Sequence, residues 1–207
     1  MKIAIYGATG NVGRAIVAEA AARGHEVSAF SRHEGALPSG VEWQFGDLGQ
    51  VDSVAKVAAD HDVVVSAVGP SREPGGDPSS FASVIARAAD AVGTTRLVVV
   101  GGAGSLLTAD GVRLVDTAEF PVEYKPEALA TAAALDLLRN SQEHLDWTYL
   151  SPAPLFPAGD PVGAYVIGLD SPAGASISAA DYALALVDEM ERPAHRRARF
   201  TVAAPAA

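Results

Sequence analysis

The stretch Pro121-Val-Glu-Tyr-Lys-Pro-Glu-Ala128 sets a phenol, Tyr124, directly beside an ammonium, Lys125. A lysine on the same helical face as a tyrosine lowers the phenol's pKa and fits it to give a proton to a developing alkoxide. Sharing a face needs a spacing of three or four residues, whereas helical neighbours point about 100° apart. Tyr6, Tyr149, Tyr165 and Tyr182 have no lysine four residues on. Lysines stand only at 2, 56 and 125, so Lys125 is alone in the second half of the chain. Tyr124 and Lys125 lie just ahead of Pro126, a residue suited to open a helix. They are expected on a loop that can aim both side chains at one ligand, or else in an ordinary helix start with a packing tyrosine.

A second constellation is Gly7-Ala-Thr-Gly10-Asn-Val-Gly13, between an apolar run and an amphipathic one. Gly7 lets the chain turn, Gly10 lets backbone approach a pyrophosphate, and Gly13 allows close helix–strand packing. The following helix would offer its N–H groups and positive dipole end to phosphates. The spacing is G-x-x-G-x-x-G rather than G-x-G-x-x-G. Nucleotide binding is the expected chemistry. At the end of the second strand, where an acid would hold a ribose, the chain has Ser31-Arg32-His33. Arg32 can pair with a 2′-phosphate, which an acid would repel, so NADP(H) is favoured over NAD(H). Gly46-Asp47-Leu48 is placed to meet the adenine edge, with Asp47 accepting from its amino group.

The elements that must position these residues alternate. Strands are expected at 2–6, 26–31, 41–45, 62–68, 96–101 and 146–151, with 199–203 as a closing edge strand. Val41, Trp43 and Phe45 would share one face of the third. Helices are expected over 11–23, 51–59, from Asp77-Pro78 to Val92, from Pro126 to Asn140, and from the capping box Ser178-x-x-Asp181 to Glu191. Strand alternating with helix implies an α/β, doubly wound, mostly parallel sheet with helices on both faces. One domain over 1–207 is expected, with loops about 69–78, 103–125 and 152–176 forming a small substrate side. Within them, Arg72 could clamp an anionic group and Tyr165 could line the pocket.

Composition narrows the partners. A net charge of −10 argues against nucleic acid, which needs a basic stripe. The one basic cluster, His195 to Arg199, reads as a solvated loop or helix end. No apolar run approaches the ~20 residues of a membrane span, and the start lacks the long apolar segment of a secretory signal. A cytoplasmic protein is expected. The chain has no cysteine, which excludes disulfides and a thiolate nucleophile. The five histidines have no metal-ligand spacing, so no metal is expected. No Gly-x-Ser-x-Gly elbow is present. The oligomeric state stays open between monomer and homodimer.

The segments "MKIAIYGATGNVG", "GHEVSAFSR", "GDL" at 46–48, "VVVSAVGP", "LVVVGGAGSL", "LDWTYLSPA" and "ISAADYALALVDEME" together resemble a known family. They are similar to the atypical short-chain dehydrogenase/reductases of the NAD(P)H-binding, NADH-flavin reductase type, with biliverdin reductase B and NmrA-like regulators as wider relatives. The resemblance covers nearly the whole chain. It implies a Rossmann-type domain that binds NADP(H), with a shallow site for a flavin or another flat redox molecule. By the same resemblance Thr9, Asn11 and Val12 would touch the pyrophosphate, Arg32 the adenosine phosphate, and Ala67, Val68 and Gly69 the ribose and nicotinamide side. Ser105 stands near the family's serine, but the Tyr-x-x-x-Lys pair is absent. Ser105, Tyr124 and Lys125 are therefore the catalytic candidates, with Lys125 on a ribose or phosphate and Tyr124 against the substrate.

Reducing a carbonyl calls for a positioned acid, whereas hydride transfer to a flavin yields a stabilised anion that water can protonate. Holding two rings face to face then suffices. The expected function is an NADPH-dependent reductase of a flavin or similar planar small molecule. A redox-sensing regulator that binds NADP(H) without turnover is the first alternative. A reductase or isomerase of a carbonyl compound with Tyr124 as a relocated acid is the second.

Overall fold

The structure is a computed structural model that describes residues 1–71 and 75–206. Its strands are β1 (Lys2–Tyr6), β2 (Glu26–Ser31), β3 (Trp43–Phe45), β4 (Val63–Ser66), β5 (Arg96–Val100), β6 (Trp147–Ser151), β7 (Val166–Gly168) and β8 (Ala198–Ala203). The helices are α1 (Asn11–Ala22), α2 (Val51–Ala59), α3 (Ser80–Val92), α4 (Lys125–Arg139) and α5 (Ala179–Glu191). The sheet runs β3-β2-β1-β4-β5-β6-β8-β7, parallel throughout except for β7.

The central strands are apolar at nearly every position because both of their faces are covered. Ile3 and Ile5 enter one core with Ile16 of α1 and Tyr182 of α5. Ala4 and Tyr6 enter the other with Val54 of α2, Ile85 of α3 and Leu135 of α4. The parallel register aligns Tyr6 with Ser66 and Ser66 with Val99, so the loops after β1, β4 and β5 leave the sheet along one edge. Strand order reverses between β1 and β4, and loops diverging at such a point leave a crevice.

Several boundaries differ from expectation, each for a physical reason. The closing strand β8 is interior, paired with β6 on one side and β7 on the other. The edge belongs to β7, inside the Gly/Pro-rich 152–176 segment, where Ile167 is 53% exposed and no buried alternation betrays a strand. The third strand shortens to Trp43–Phe45 at the opposite edge. Trp43 is half-buried there and donates to Ser31 Oγ at 2.7 Å, while Phe45 is exposed. At α3, Asp77 Oδ1 takes the Ser79 N–H at 2.9 Å, and the N–H of Ser80 bonds the Asp77 carbonyl, so a tighter turn precedes the helix. The basic segment 195–199 is solvated only in part, at the exposed Arg196 and Arg197. Arg199 is buried and paired with Asp170, and His195 Nδ1 lies 2.8 Å from Glu189.

Candidate functional site

The glycine turn is built as its spacing requires. Gly7 has φ +82°, and a Cβ there would stand 2.6 Å from the Ala67 carbonyl oxygen. A Cβ on Gly13 would meet the Gly7 oxygen at 2.0 Å, so α1 can sit this close to the turn only with glycine at that position. Both Gly7 and Ala8 donate to the Phe30 carbonyl, at 2.8 and 3.1 Å, which fixes the turn against the end of β2. Gly10 is the N-cap of α1 and provides no side-chain cap, leaving the N–H groups of the first turn to an outside acceptor. These features fit a pyrophosphate.

Two connected hollows open along this edge of the sheet. The smaller, about 290 Å³, is lined by Gly7, Thr9, Gly10, Arg32, Asp47 and Leu48, with Ala67, Val68 and Gly69. The larger, about 1120 Å³, begins at Gly10, Asn11, Val12 and Arg32 and runs past Ala67 to Ser71. Arg32 borders both. The structure therefore brings eleven of the twelve cofactor candidates to one place, and the twelfth, Gly13, packs beneath them. Thr9 Oγ1 donates to the His33 carbonyl at 3.3 Å, and Asp47 Oδ1 accepts from the Gly49 N–H at 2.8 Å. Asp47 thus uses one oxygen to close its own turn.

Beyond Gly69 the larger cleft is floored by the ends of β5 and β6. A Cβ on Gly101 would collide with the Tyr149 ring at 2.0 Å, and one on Gly102 with Thr131 Oγ1 at 2.4 Å. The chain after β5 consequently lies flat on these side chains. Tyr149 donates to the Thr131 carbonyl at 2.9 Å and accepts from the Gly102 N–H at 3.1 Å. Burial pushes its phenol up to about 12, which makes it a spacer between β5 and α4 and no acid at neutral pH. The mouth is walled by Leu114, Phe120, Pro121, Tyr124 and Ala128 on one side and Pro152 to Pro157 on the other. Phe156 is wedged against Tyr182 at 4.7 Å between centroids. The loop that follows is tied down by buried Asp181, which accepts from the N–H groups of Val162 and Gly163 at 3.0 and 2.8 Å.

The catalytic candidates separate. Tyr124, in a 3-10 turn before α4, lines the cleft and is 57% exposed. Lys125 is the first residue of α4 and is not among the residues lining the cleft. Ser105 is buried beneath Gly104, its Oγ without a partner among the described residues. Tyr165 does not reach the cleft, because its hydroxyl donates to Asp188 Oδ2 at 2.6 Å. Burial first, and then this carboxylate, raise the Tyr165 phenol to about 12. Arg72 lies outside the described residues. Sequence reasoning did not single out Gly101, Gly102 or Thr131, and it reached Phe120 and the proline-rich wall only as parts of the loops about 103–125 and 152–176. The double glycine directly after β5 was the available signal, since glycine at a strand end marks close backbone approach.

Residues 7–193 match the NAD(P)H-binding family. YwnB of Bacillus subtilis (strain 168) is 41% identical over 220 residues, covering 100% of this chain and 100% of that protein. Among solved structures, a candidate NADH-flavin reductase from Streptococcus pneumoniae is 36% identical, with a TM-score of 0.89 over 99% of this chain and 100% of that one. A candidate exported protein from Burkholderia pseudomallei is 43% identical, with a TM-score of 0.85 over 98% of this chain and 99% of that one.

Proposed function

The chain belongs to the NAD(P)H-binding family, and on that premise we propose that it is an NADPH-dependent reductase of a flavin or similar planar acceptor. The observation that carries this reading is the continuity of the larger cleft. It passes from the open N-terminus of α1 to an apolar, aromatic-rimmed mouth without meeting a tyrosine–lysine pair. When bound, the nicotinamide supplies a hydride to the acceptor, and water supplies the accompanying proton. The chain's own residues bind and orient. Asn11 and Val12 meet the pyrophosphate, Thr9 shapes the turn, and Arg32 holds the 2′-phosphate. Asp47 and Leu48 bound the adenine, and Ala67, Val68 and Gly69 offer backbone to the ribose and nicotinamide.

In this reading the floor at Gly101 to Gly104 would underlie the two rings, and Phe120 and Tyr124, which line the same cleft, would pack against the acceptor. Proximity and orientation of this kind are worth several orders of magnitude in rate. In this reading the whole chain is one cofactor-binding domain, and the loops at 69–78, 103–125 and 152–176 make its substrate side. The name of the pneumococcal relative supports flavin as acceptor. That name specifies NADH, whereas Arg32, standing where an acid would hold a ribose and with Glu34 only beyond His33, favours NADPH here.

The test is oxidation of NADPH and NADH by the purified protein with and without riboflavin, FMN and a simple quinone. Fast, acceptor-dependent, NADPH-selective turnover is expected. Equal use of NADH would discard the role given to Arg32. Clear cofactor binding with no turnover would replace the reductase by a redox-sensing regulator.

A further inference from the structure

Gly104 and Leu114, which line the larger cleft, belong to a small hairpin after β5. Within it the Val115 N–H bonds the Gly104 carbonyl at 3.0 Å, and the Leu114 N–H bonds the Leu106 carbonyl at 2.8 Å. The Leu107 N–H leaves the hairpin and bonds the carbonyl of Asp170, in the segment after β7, at 2.8 Å. The place of Asp170 is set in turn by a buried charge. Arg199 of β8, its side chain 1% exposed, donates to Asp170 Oδ1 from Nη2 and, at 3.1 Å, from Nε. Arg139, the last residue of α4, brings a second guanidinium to the same oxygen at 3.4 Å. Among the described residues Arg199 Nη1 has no partner, and Asp170 is the one carboxylate paired with this cation. Asp170 itself is exposed. If its segment swung outward, the guanidinium would stay behind, buried and unpaired, which is strongly unfavourable. That asymmetry holds the segment in, and the Leu107 N–H with it. Arg199 also lies in register with Tyr149, whose hydroxyl accepts from the Gly102 N–H of the cleft floor.

We propose that Asp170 is a positioning residue for the acceptor side of the cleft: by joining Arg199, Arg139 and Leu107 it holds the 104–115 hairpin in place before an acceptor arrives. This rests on the reductase reading above and deepens it, because Asp170 is not among the described residues that line the cleft. A wall that is already formed spares the acceptor the cost of ordering it, so the effect falls on acceptor affinity. Cofactor affinity is left alone, since three strands, β4, β5 and β6, separate β1 and its glycine turn from β8. The same sheet holds a matched control. Glu189 pairs with buried Arg96 at 2.6 Å, and Arg96 is the first residue of β5, at the end away from the cleft. Breaking either pair leaves a buried guanidinium without its carboxylate, but only the Asp170 pair is bonded to the hairpin.

The experiment compares wild type, Asp170→Asn and Glu189→Gln by steady-state kinetics with NADPH and riboflavin and by amide hydrogen exchange read by mass spectrometry. Asp170→Asn should raise the riboflavin KM about tenfold, with kcat and the NADPH dissociation constant within about twofold. Exchange across 103–117 should quicken at least about tenfold in this variant, while exchange across 2–22 stays as in the wild type. Glu189→Gln should lower the urea midpoint, yet leave both the riboflavin KM and the 103–117 exchange unmoved. Unchanged exchange across 103–117 in Asp170→Asn would overturn the proposal, as would an unmoved KM. So would equal effects from Glu189→Gln, which would mean general loosening of the fold. If Asp170→Asn does not fold, Arg199→Lys, which keeps the charge and loses the fork, should quicken the same segment about threefold, and no change there overturns the proposal. If riboflavin is not turned over at all, the reductase reading fails on its own, and the exchange comparison decides whether Asp170 holds the hairpin.

Discussion

Replacing Arg32 with alanine should weaken NADPH binding about 30-fold and leave NADH within about threefold. Arg32 follows buried Ser31 at the end of β2, and Ser31 Oγ both donates to the His33 carbonyl at 2.6 Å and accepts from Trp43 Nε1 at 2.7 Å. The backbone that presents Arg32 is therefore fixed, and its side chain borders both hollows where they join. A charge-assisted pair between a guanidinium and a phosphate contributes about 1.5–3 kcal/mol. Arg32 is exposed and already has a contact in the ligand-free protein, so a figure toward the lower end, about 2 kcal/mol, is appropriate. That converts to about 30-fold in dissociation constant. The assay is fluorescence titration of wild type and Arg32→Ala with both cofactors. An NADPH-to-NADH affinity ratio unchanged by the substitution would refute the assignment of the 2′-phosphate to Arg32, as would a wild type that prefers NADH.

Gly13→Ala puts a methyl 2.0 Å from the Gly7 oxygen, so α1 must move off the turn. A loss of about 2 kcal/mol in denaturant stability and at least tenfold weaker cofactor binding are expected, and a variant with unchanged affinity would contradict the tight-turn account. Tyr124→Phe should slow flavin reduction by less than about threefold, since only ring packing is asked of it; a fall of about 100-fold would make Tyr124 the proton donor. Burial raises the phenols of Tyr6 and Tyr149 to about 12 from an ordinary value of 10.0. Their neutral forms are favoured in the fold, so this stabilisation is complete below pH 10 and is lost as pH rises through about 12. Stability measured by urea titration should hold between neutrality and pH 10 and fall above it, and Tyr149→Phe should flatten that fall. A transition unaffected by the substitution would place the alkaline sensitivity elsewhere.

What was legible in the sequence follows from which signals are local. The strand–glycine turn–helix unit at 2–22 could be read directly, because the positive φ of Gly7 and the contact of Gly13 with the Gly7 oxygen are set within a few residues. Ser178 could likewise be read as a helix cap, and its Oγ does accept from the Asp181 N–H at 3.0 Å. The other half of that box could not. The Asp181 carboxylate accepts from the Ser178 hydroxyl at 2.8 Å and also from Val162 and Gly163, partners that sequence spacing does not reveal. Strand β7 was hidden because its pairing comes from β8, thirty-odd residues later, and its own side chains are mostly exposed. The basic run at 195–199 misled for a related reason. Glu189 and Asp170, which pair with His195 and Arg199, are supplied by α5 and by the segment after β7. At the candidate site, the glycine-turn end rests on backbone geometry that local spacing shows, whereas the proposed acceptor end draws its lining from three separate loops.

The most direct test of the central claim is an anaerobic single turnover in which NADPH-loaded protein is mixed rapidly with riboflavin across the neutral pH range. Proximity without a protein acid predicts that nicotinamide and flavin absorbance fall together, at a rate that saturates with riboflavin and varies little with pH. Retention of both absorbances by a protein that demonstrably holds NADPH would contradict the claim, and so would a rate that follows the titration of a single group.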